Sequence, residues 1–247
     1  MVKSSPLRIG TASWGVPARY ADQFSTEGSH LQRYAQRLNC AEINSSFHRP
    51  HRRSVYEKWA AATPADFRFA VKVPKTMTHE RNLAGCASLI REFAGEVGGL
   101  GGKLAVLLIQ LPPSAGIKKR TASSFFGRLR DALGVDLALE PRHPSWFTSE
   151  VESWLAEQRI ARVAADPVPK RVINQSEPME PGGWEGLVYY RWHGSPRIYF
   201  SDYPVERLGV LKKQAAKARR VGRSVWCIFD NTAGGHALGN ALRLADA

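Results

Sequence analysis

The chain has 247 residues, with 35 Lys and Arg against 22 Asp and Glu, a net charge of +13 at neutral pH. That length fits one large domain or two small ones, and a hydrophobic content of 43% is enough for a sizeable core. The longest apolar stretch, Leu104 to Leu111, is far too short to span a bilayer, and Met1 to Pro6 carry no apolar leader segment, so neither a membrane partner nor a secretory signal is expected. Cys40, Cys86 and Cys227 are widely spaced with no Cys-x-x-Cys pair, which fits a reduced cytoplasmic protein rather than a disulfide scaffold or zinc module. The positive excess attracts anions, whether small phosphorylated metabolites or nucleic acid; as net charge alone locates no patch, it fits a general solubility preference equally well.

Leu7 to Trp14 reads as a first strand, followed by a helix from Ser29 or His30 to about Leu38 with Leu31, Tyr34, Ala35 and Leu38 on one face. Cys40 to Phe47 is strand two and Arg53 to Ala62 a helix. Phe67 to Pro74 is strand three, and a helix from Cys86 ends in the glycine-rich run Gly98 to Gly102. Leu104 to Leu111 is the strongest strand, ended by Pro112-Pro113, and Ser124 to Leu133 is the next helix. In Val135 to Trp146, the apolar run Leu137-Ala138-Leu139 turns abruptly into Glu140-Pro141-Arg142-His143. A strand buried on both faces cannot carry these groups without partners, so they belong where strand five leaves the core. A helix spans Ser149 to Gln158, Ile160 to Pro167 is strand six, and Val168 to Gly186 has no periodicity, so a long loop replaces or shortens the expected helix. Leu187 to Gly194 is strand seven, Val205 to Arg220 a helix with a basic face, Ser224 to Asn231 strand eight, and a last helix follows Gly234-Gly235.

Eight strand candidates alternating with helices mean βαβ units and a parallel sheet. Eight units in about 250 residues point to an α/β fold of the (β/α)8 TIM type. A doubly wound open sheet is the other option, but the Gly-rich dinucleotide fingerprint it calls for after strand one is missing. No linker or composition shift divides residues 1–247, which read as a single domain.

In such a barrel, function sits at the C-terminal ends of the strands. The polar residues there are Glu42 and Asn44, Lys72, Gln110, Glu140, Arg142 and His143, Asp166, Arg191 and His193, and Asp230 and Asn231, from strands two to eight in turn. They either form a site or satisfy loops and one another. Lys72, Arg142 and Arg191 suit an anion clamp. Asn231, Thr232 and the glycines before the last helix offer backbone amides to an anion, or simply cap the helix. Glu140, Asp166 and Asp230 are candidate acid or base groups with His143 or His193 as partner. Glu140-x-x-His143 with Asp166 and His193 also resembles a metal set, yet three cations compete for the same space and no His-Glu-x-x-His motif exists, so no metal is expected. The sequence points to no particular cofactor. Trp14, Trp146, Trp184 and Trp192 lie near strand ends, where they stack a ring or close the core.

The motifs also fit a known pattern. Gly10-Thr11-Ala12-Ser13-Trp14, Glu42-Ile43-Asn44-x-x-Phe47, Phe69-Ala70-Val71-Lys72, Gln110-Leu111-Pro112-Pro113, Glu140-x-Arg142-His143-Pro144-x-Trp146, Asp230-Asn231-Thr232 and Asn240-Ala241-Leu242 occur in that order. Over essentially its whole length the chain resembles the DUF72 (YecE-like) family. The resemblance implies a TIM-type barrel and no known reaction. Phe47-His48 stands where many members carry Phe-Tyr, so no tyrosine hydroxyl carries over, and Asp230 stands where many carry Asn, which adds a carboxylate. Two functions follow as expectations: an enzyme acting on an anionic substrate (a phosphorylated sugar, nucleotide or nucleic acid) as a hydrolase, lyase or isomerase, or a nucleic-acid-binding protein using its basic surface, with or without nuclease activity. A barrel that binds a regulatory ligand without catalysis is the third.

Overall fold

The computed structural model describes residues 7–169 and 179–246. In chain order the elements are β1 (Leu7–Thr11), α1 (His30–Tyr34), β2 (Cys40–Ile43), α2 (Arg53–Ala61), β3 (Arg68–Lys72), α3 (Ala87–Val97), β4 (Leu104–Gln110), α4 (Lys119–Leu133), β5 (Asp136–Glu140), α5 (Ser149–Glu157), β6 (Ile160–Arg162), β7 (Ala164–Asp166), β8 (Gly182–Gly183), β9 (Leu187–Trp192), α6 (Val205–Arg220), β10 (Ser224–Phe229) and α7 (His236–Asp246). Local chemistry sets several boundaries. Ser29 and Gln32 form a reciprocal capping box on α1. Ser46 Oγ donates to the carbonyls of Ile43 and Lys72, which turns the chain into a 3-10 turn at Ser45–Phe47 and ends strand two at Ile43 rather than Phe47.

Three further features depart from the sequence pattern. α4 starts at Lys119 instead of Ser124, because Ala122 extends the buried face of Phe125, Phe126 and Leu129 while adding too little apolar bulk to register as part of a stripe. α3 does end at the glycine run, with Gly98 as its C-cap, but the run continues as a 3-10 segment, Gly98–Lys103. A single π-helical turn, Thr76–Glu80, buries Met77 and Thr78 in a stretch too short for periodicity to show.

The strands pair in the orders β1-β10-β9-β7 and β2-β3-β4-β5-β6-β8, parallel throughout except for β6 with β8. Strand six is divided: β6 pairs with β5, Val163 N donates to the Leu139 carbonyl (2.9 Å), and β7 then pairs with β9. The loop expected after it contains β8, and residues 170–178 of that loop lie outside the described residues. β1 and β2 meet at an isolated parallel bridge, Ala12 with Glu42, where Ser13 N donates to the Glu42 carbonyl (2.8 Å). Tyr34 ties this junction together, since its hydroxyl donates to the Cys40 carbonyl and accepts from Thr11 N, each at 2.9 Å.

Both faces of the strands are buried, as expected for parallel strands in an α/β fold. One face packs with the helices in a large cluster that includes Phe69, Ile109, Leu139, Phe125 and Leu155. The other gathers Cys40, Ala70, Leu108, Ala138, Tyr189 and Ile228 into a smaller cluster. Side chains alternate along a strand. Two residues further along β2, β3, β4, β5 and β9 this second face therefore presents Glu42, Lys72, Gln110, Glu140 and Arg191, and two beyond Ile228 it presents Asp230. The polar groups are the last layer on a column of small, aliphatic and aromatic side chains.

The β1–β2 junction depends on Gly10, where any Cβ would run into the Cys40 carbonyl. Gly10→Ala should lower the unfolding free energy by about 1–3 kcal/mol in urea titrations. Gly15→Ala, whose Cβ meets nothing, should leave it within about 0.5 kcal/mol of wild type.

Candidate functional site

The polar layer centres on Arg191, which is 0% exposed. Its Nε and Nη2 approach both oxygens of Glu42 (2.7 to 3.2 Å), Nη1 donates to Glu140 Oε2 (3.1 Å), and Nη2 lies 3.0 Å from Asp230 Oδ2. Tyr189, two residues earlier on the same face of β9, donates its hydroxyl to Glu42 Oε2 (2.9 Å). One guanidinium therefore serves three carboxylates from three other strand ends.

His193 stands between two of the same carboxylates. Its Nδ1 is 3.0 Å from Asp230 Oδ2 and its Nε2 is 3.2 Å from Glu140 Oε1. Burial and Arg191 pull its pKa down, but Glu140 and Asp230 outweigh them and the net shift is upward. A carboxylate oxygen stands at each ring nitrogen, which favours the protonated ring, while Arg191 Nη1, 3.3 Å from Nδ1, opposes it. Burial alone would raise the Glu140 pKa, but Arg191, His193 and Arg142 drive it well below the ordinary carboxylate value. Glu140 Oε1 also accepts from Gln110 Nε2 (2.8 Å) and Arg142 Nη2 (3.1 Å). Asp230 is depressed in the same way: burial opposes, and Arg191 and His193 prevail.

Lys72 sits at the edge of this cluster with its ammonium 4.1 Å above the Phe47 ring. Burial first, and Arg191 next, push its pKa down to about 8 against the pull of Glu140, Glu42 and Asp230. A cavity of about 620 Å³ opens beside the cluster, lined by Glu140, Arg142 and His193 together with loop residues such as Pro113, Pro196 and Tyr199. Of the cationic side chains, half-buried Arg142 faces this space, whereas Arg191, expected among the anion-holding cations, has its donors directed at carboxylates.

The other expected residues lie apart. His143 Nδ1 accepts from Ser145 N (3.2 Å) and contacts Ser145 Oγ, capping the 3-10 turn Pro144–Trp146. Asp166 is buried at the end of β7; its Oδ1 is 3.5 Å from Arg207 Nη2, its Oδ2 has no hydrogen-bond partner among the described residues, and burial raises its pKa despite Tyr203 and Arg207. Asn44 opens the Ser45–Phe47 turn without a side-chain capping bond. Asn231 donates to the Ser201 carbonyl and to Asn240 Oδ1, which ties the chain after β10 to α7, and exposed Thr232 lines a separate cavity beyond β1. Trp146 and Trp192 are core residues, and Trp14 packs edge-on against Trp59 and Phe69.

The pattern missed two tyrosines. Tyr189 was legible, since its two-residue spacing from Arg191 places it on the same face. Tyr199 lies in the loop after β9, where no periodicity singles it out. Among the described residues no group of three or more His, Cys, Asp or Glu is arranged to hold a metal ion, and no helix is long and apolar enough to cross a membrane.

The sequence profile of the family described as "Protein of unknown function DUF72" matches residues 8–247. The chain belongs to the DUF72 family. It is 30% identical over 151 residues to the UPF0759 protein YecE of Escherichia coli K12, an alignment covering 60% of this chain and 53% of YecE, so the chain spans about half the length of that relative. It is 25% identical over 272 residues to the UPF0759 protein YunF of Bacillus subtilis, covering 97% of this chain and 94% of YunF. A crystal structure of a DUF72 family protein from Enterococcus faecalis V583 superposes with a TM-score of 0.78 at 21% identity, covering 100% of this chain and 98% of that one. The α/β fold is thus that of solved DUF72 structures.

The raised pKa of His193 fixes the sign of a pH effect. Its stabilising contribution should be complete below the ordinary histidine value of 6.5 and be lost as pH rises through the higher folded value. The stability gap between wild type and His193→Gln, measured by urea unfolding from pH 5 to 9, should therefore shrink with rising pH. A gap that widens would show that the folded protein holds His193 neutral.

Proposed function

We propose that the chain is an enzyme that binds a phosphorylated small molecule at the C-terminal ends of its strands and moves protons with His193, whose charged form Glu140 stabilises. The observation that carries this reading is His193, buried and flanked by Glu140 and Asp230, at the base of an open cavity that Arg142 also lines. Arg142, the cation that lines the cavity, holds the anion. Asp230 orients the imidazolium through Nδ1, and Nε2, shared with Glu140, delivers the proton to a substrate oxygen. In the reverse transfer the proton returns to Nε2, and Glu140 stays a carboxylate throughout. Its depressed pKa makes it a weak base, which suits a group that stays ionised and stabilises the charged ring. Arg191 is a positioning residue in this scheme. It fixes Glu42, Glu140 and Asp230 and touches no ligand.

The two junctions at Ala12–Glu42 and at Val163 support closure of the two sheets into one eight-stranded TIM-type barrel, with the chain as a single domain. In that geometry the polar layer caps the inner column at the face where such barrels place their chemistry.

Turnover across a panel of phosphorylated sugars and nucleotides tests the reading. Glu140→Gln should reduce turnover of any accepted compound by about 10²–10⁴-fold while leaving its Kd nearly unchanged. Undiminished turnover would remove Glu140 from the chemistry.

A second reading has one observation in its favour. Lys213, Lys217 and Arg220 are exposed at helical spacing along α6, a basic stripe suited to a nucleic-acid backbone. Single- and double-stranded oligonucleotides would then bind with affinity that falls steeply with salt. A flat salt response, or binding unaltered when all three are changed to Gln, would dismiss it.

A further inference from the structure

Burial separates the lining of the cavity into two chemistries. Glu140 and His193, from strand ends, are buried, and Arg142 beside them is half-buried. Pro113, Pro167, Val168 and Pro196 line the same space, with Ile198 at 41% and Tyr199 at 39% exposure. Phe200, next in the chain, is 43% exposed beneath the Arg197 guanidinium, 4.1 Å from its ring centroid. The other exposed large apolar side chains among the described residues, Val205, Val210 and Val221, are isolated in sequence, whereas these three are consecutive, and Ile198 and Tyr199 line the cavity with the charged residues. An exposed apolar group rimmed by polar residues marks a contact surface.

The backbone at Tyr199 makes the same point independently. Tyr199 has φ 70°, a conformation that a bulky residue rarely adopts, and is held there by its N–H donating to the His193 carbonyl (2.5 Å). Its ring meets His193 edge-on, with centroids 5.9 Å apart. Strain of this kind persists only where the surroundings impose it, and it gathers at ligand sites. The space is also larger than a phosphate group alone requires, and it falls within the range of pockets that enclose a whole ring-bearing ligand.

We propose, building on the anion-binding reading above, that the cavity takes a phosphorylated molecule carrying a flat aromatic ring, with the phosphate on Arg142 beside His193 and the ring against Tyr199 and the proline-rich rim. Proline and tyrosine rings offer flat, rigid faces that match a planar ring and lose little freedom on contact. A nucleoside monophosphate has this form; a sugar phosphate supplies the anion but leaves the rim uncovered.

Isothermal titration of the full chain with two matched pairs tests this: AMP against ribose 5-phosphate, and phenyl phosphate against inorganic phosphate. The ring-bearing member of each pair should bind at least about tenfold tighter. Tyr199→Ala should abolish most of that preference, as should Ile198→Asp, which keeps the tyrosine, while Arg142→Ala should weaken all four compounds. If ribose 5-phosphate binds as tightly as AMP in an Arg142-dependent way, the aromatic requirement is overturned and the anion reading stands. If none of the four binds, both fail. A ring preference that survives both rim substitutions overturns the placement of the ring.

Discussion

A guanidinium with no exposure must be matched by charge, and in this protein that requirement is met by three carboxylates at once. Arg191 reaches Glu42, Glu140 and Asp230 within hydrogen-bond distance, and each belongs to a different strand end. Removing one partner of such a buried pair costs about 3–5 kcal/mol, because the remaining charge is stranded. The arrangement therefore holds β2, β5, β9 and the end of β10 in mutual register. It also carries more negative than positive charge at its centre, and the surplus is answered by His193, Lys72 and Arg142 around it. The polar layer is a single electrostatic unit, and its protonation states are set jointly.

That coupling gives neighbouring groups different chemistry. Glu140 and Asp230 are held ionised by their cations. His193 is shifted toward its protonated form by its carboxylates. Lys72, which is buried but has Phe47 rather than a carboxylate beneath its ammonium, moves the other way, to about 8. Groups whose environments push their pKa values toward the working range are the usual material of proton-transfer sites. Arg142 is at once bound to Glu140 and open to the cavity, so it links this unit to whatever enters.

The apolar rim has its own logic. Pro113, Pro167 and Pro196 bring no N–H that needs a partner, so the loops they interrupt can face a cavity without unsatisfied donors. Tyr199 and its neighbours place aromatic and aliphatic surface beside a base of fixed charge. The two surfaces differ in chemistry, one charged and buried, the other apolar and partly exposed.

The sequence by itself determined most of the alternation of apolar strands with amphipathic helices and placed Lys72, Gln110 and Glu140 at the ends of their strands, because both are recorded as local periodicity and as abrupt changes of polarity. The helical pattern from Val205 to Arg220 coincides with α6, and the change of polarity at Glu140 coincides with the end of β5. Tertiary structure alone decided which of these polar residues meet. His143 and His193 look alike as strand-end histidines, yet one caps a turn through Ser145 and the other bridges two carboxylates. Arg142 and Arg191 look alike as cations, yet one lines the cavity and the other is enclosed. The division of strand six between two partners, the π turn at Thr76–Glu80 and the conformation of Tyr199 left no periodic trace. The reason is physical: side-chain alternation is a property of neighbours along the chain, whereas charge pairing and cavity lining depend on distances between elements that only packing brings together.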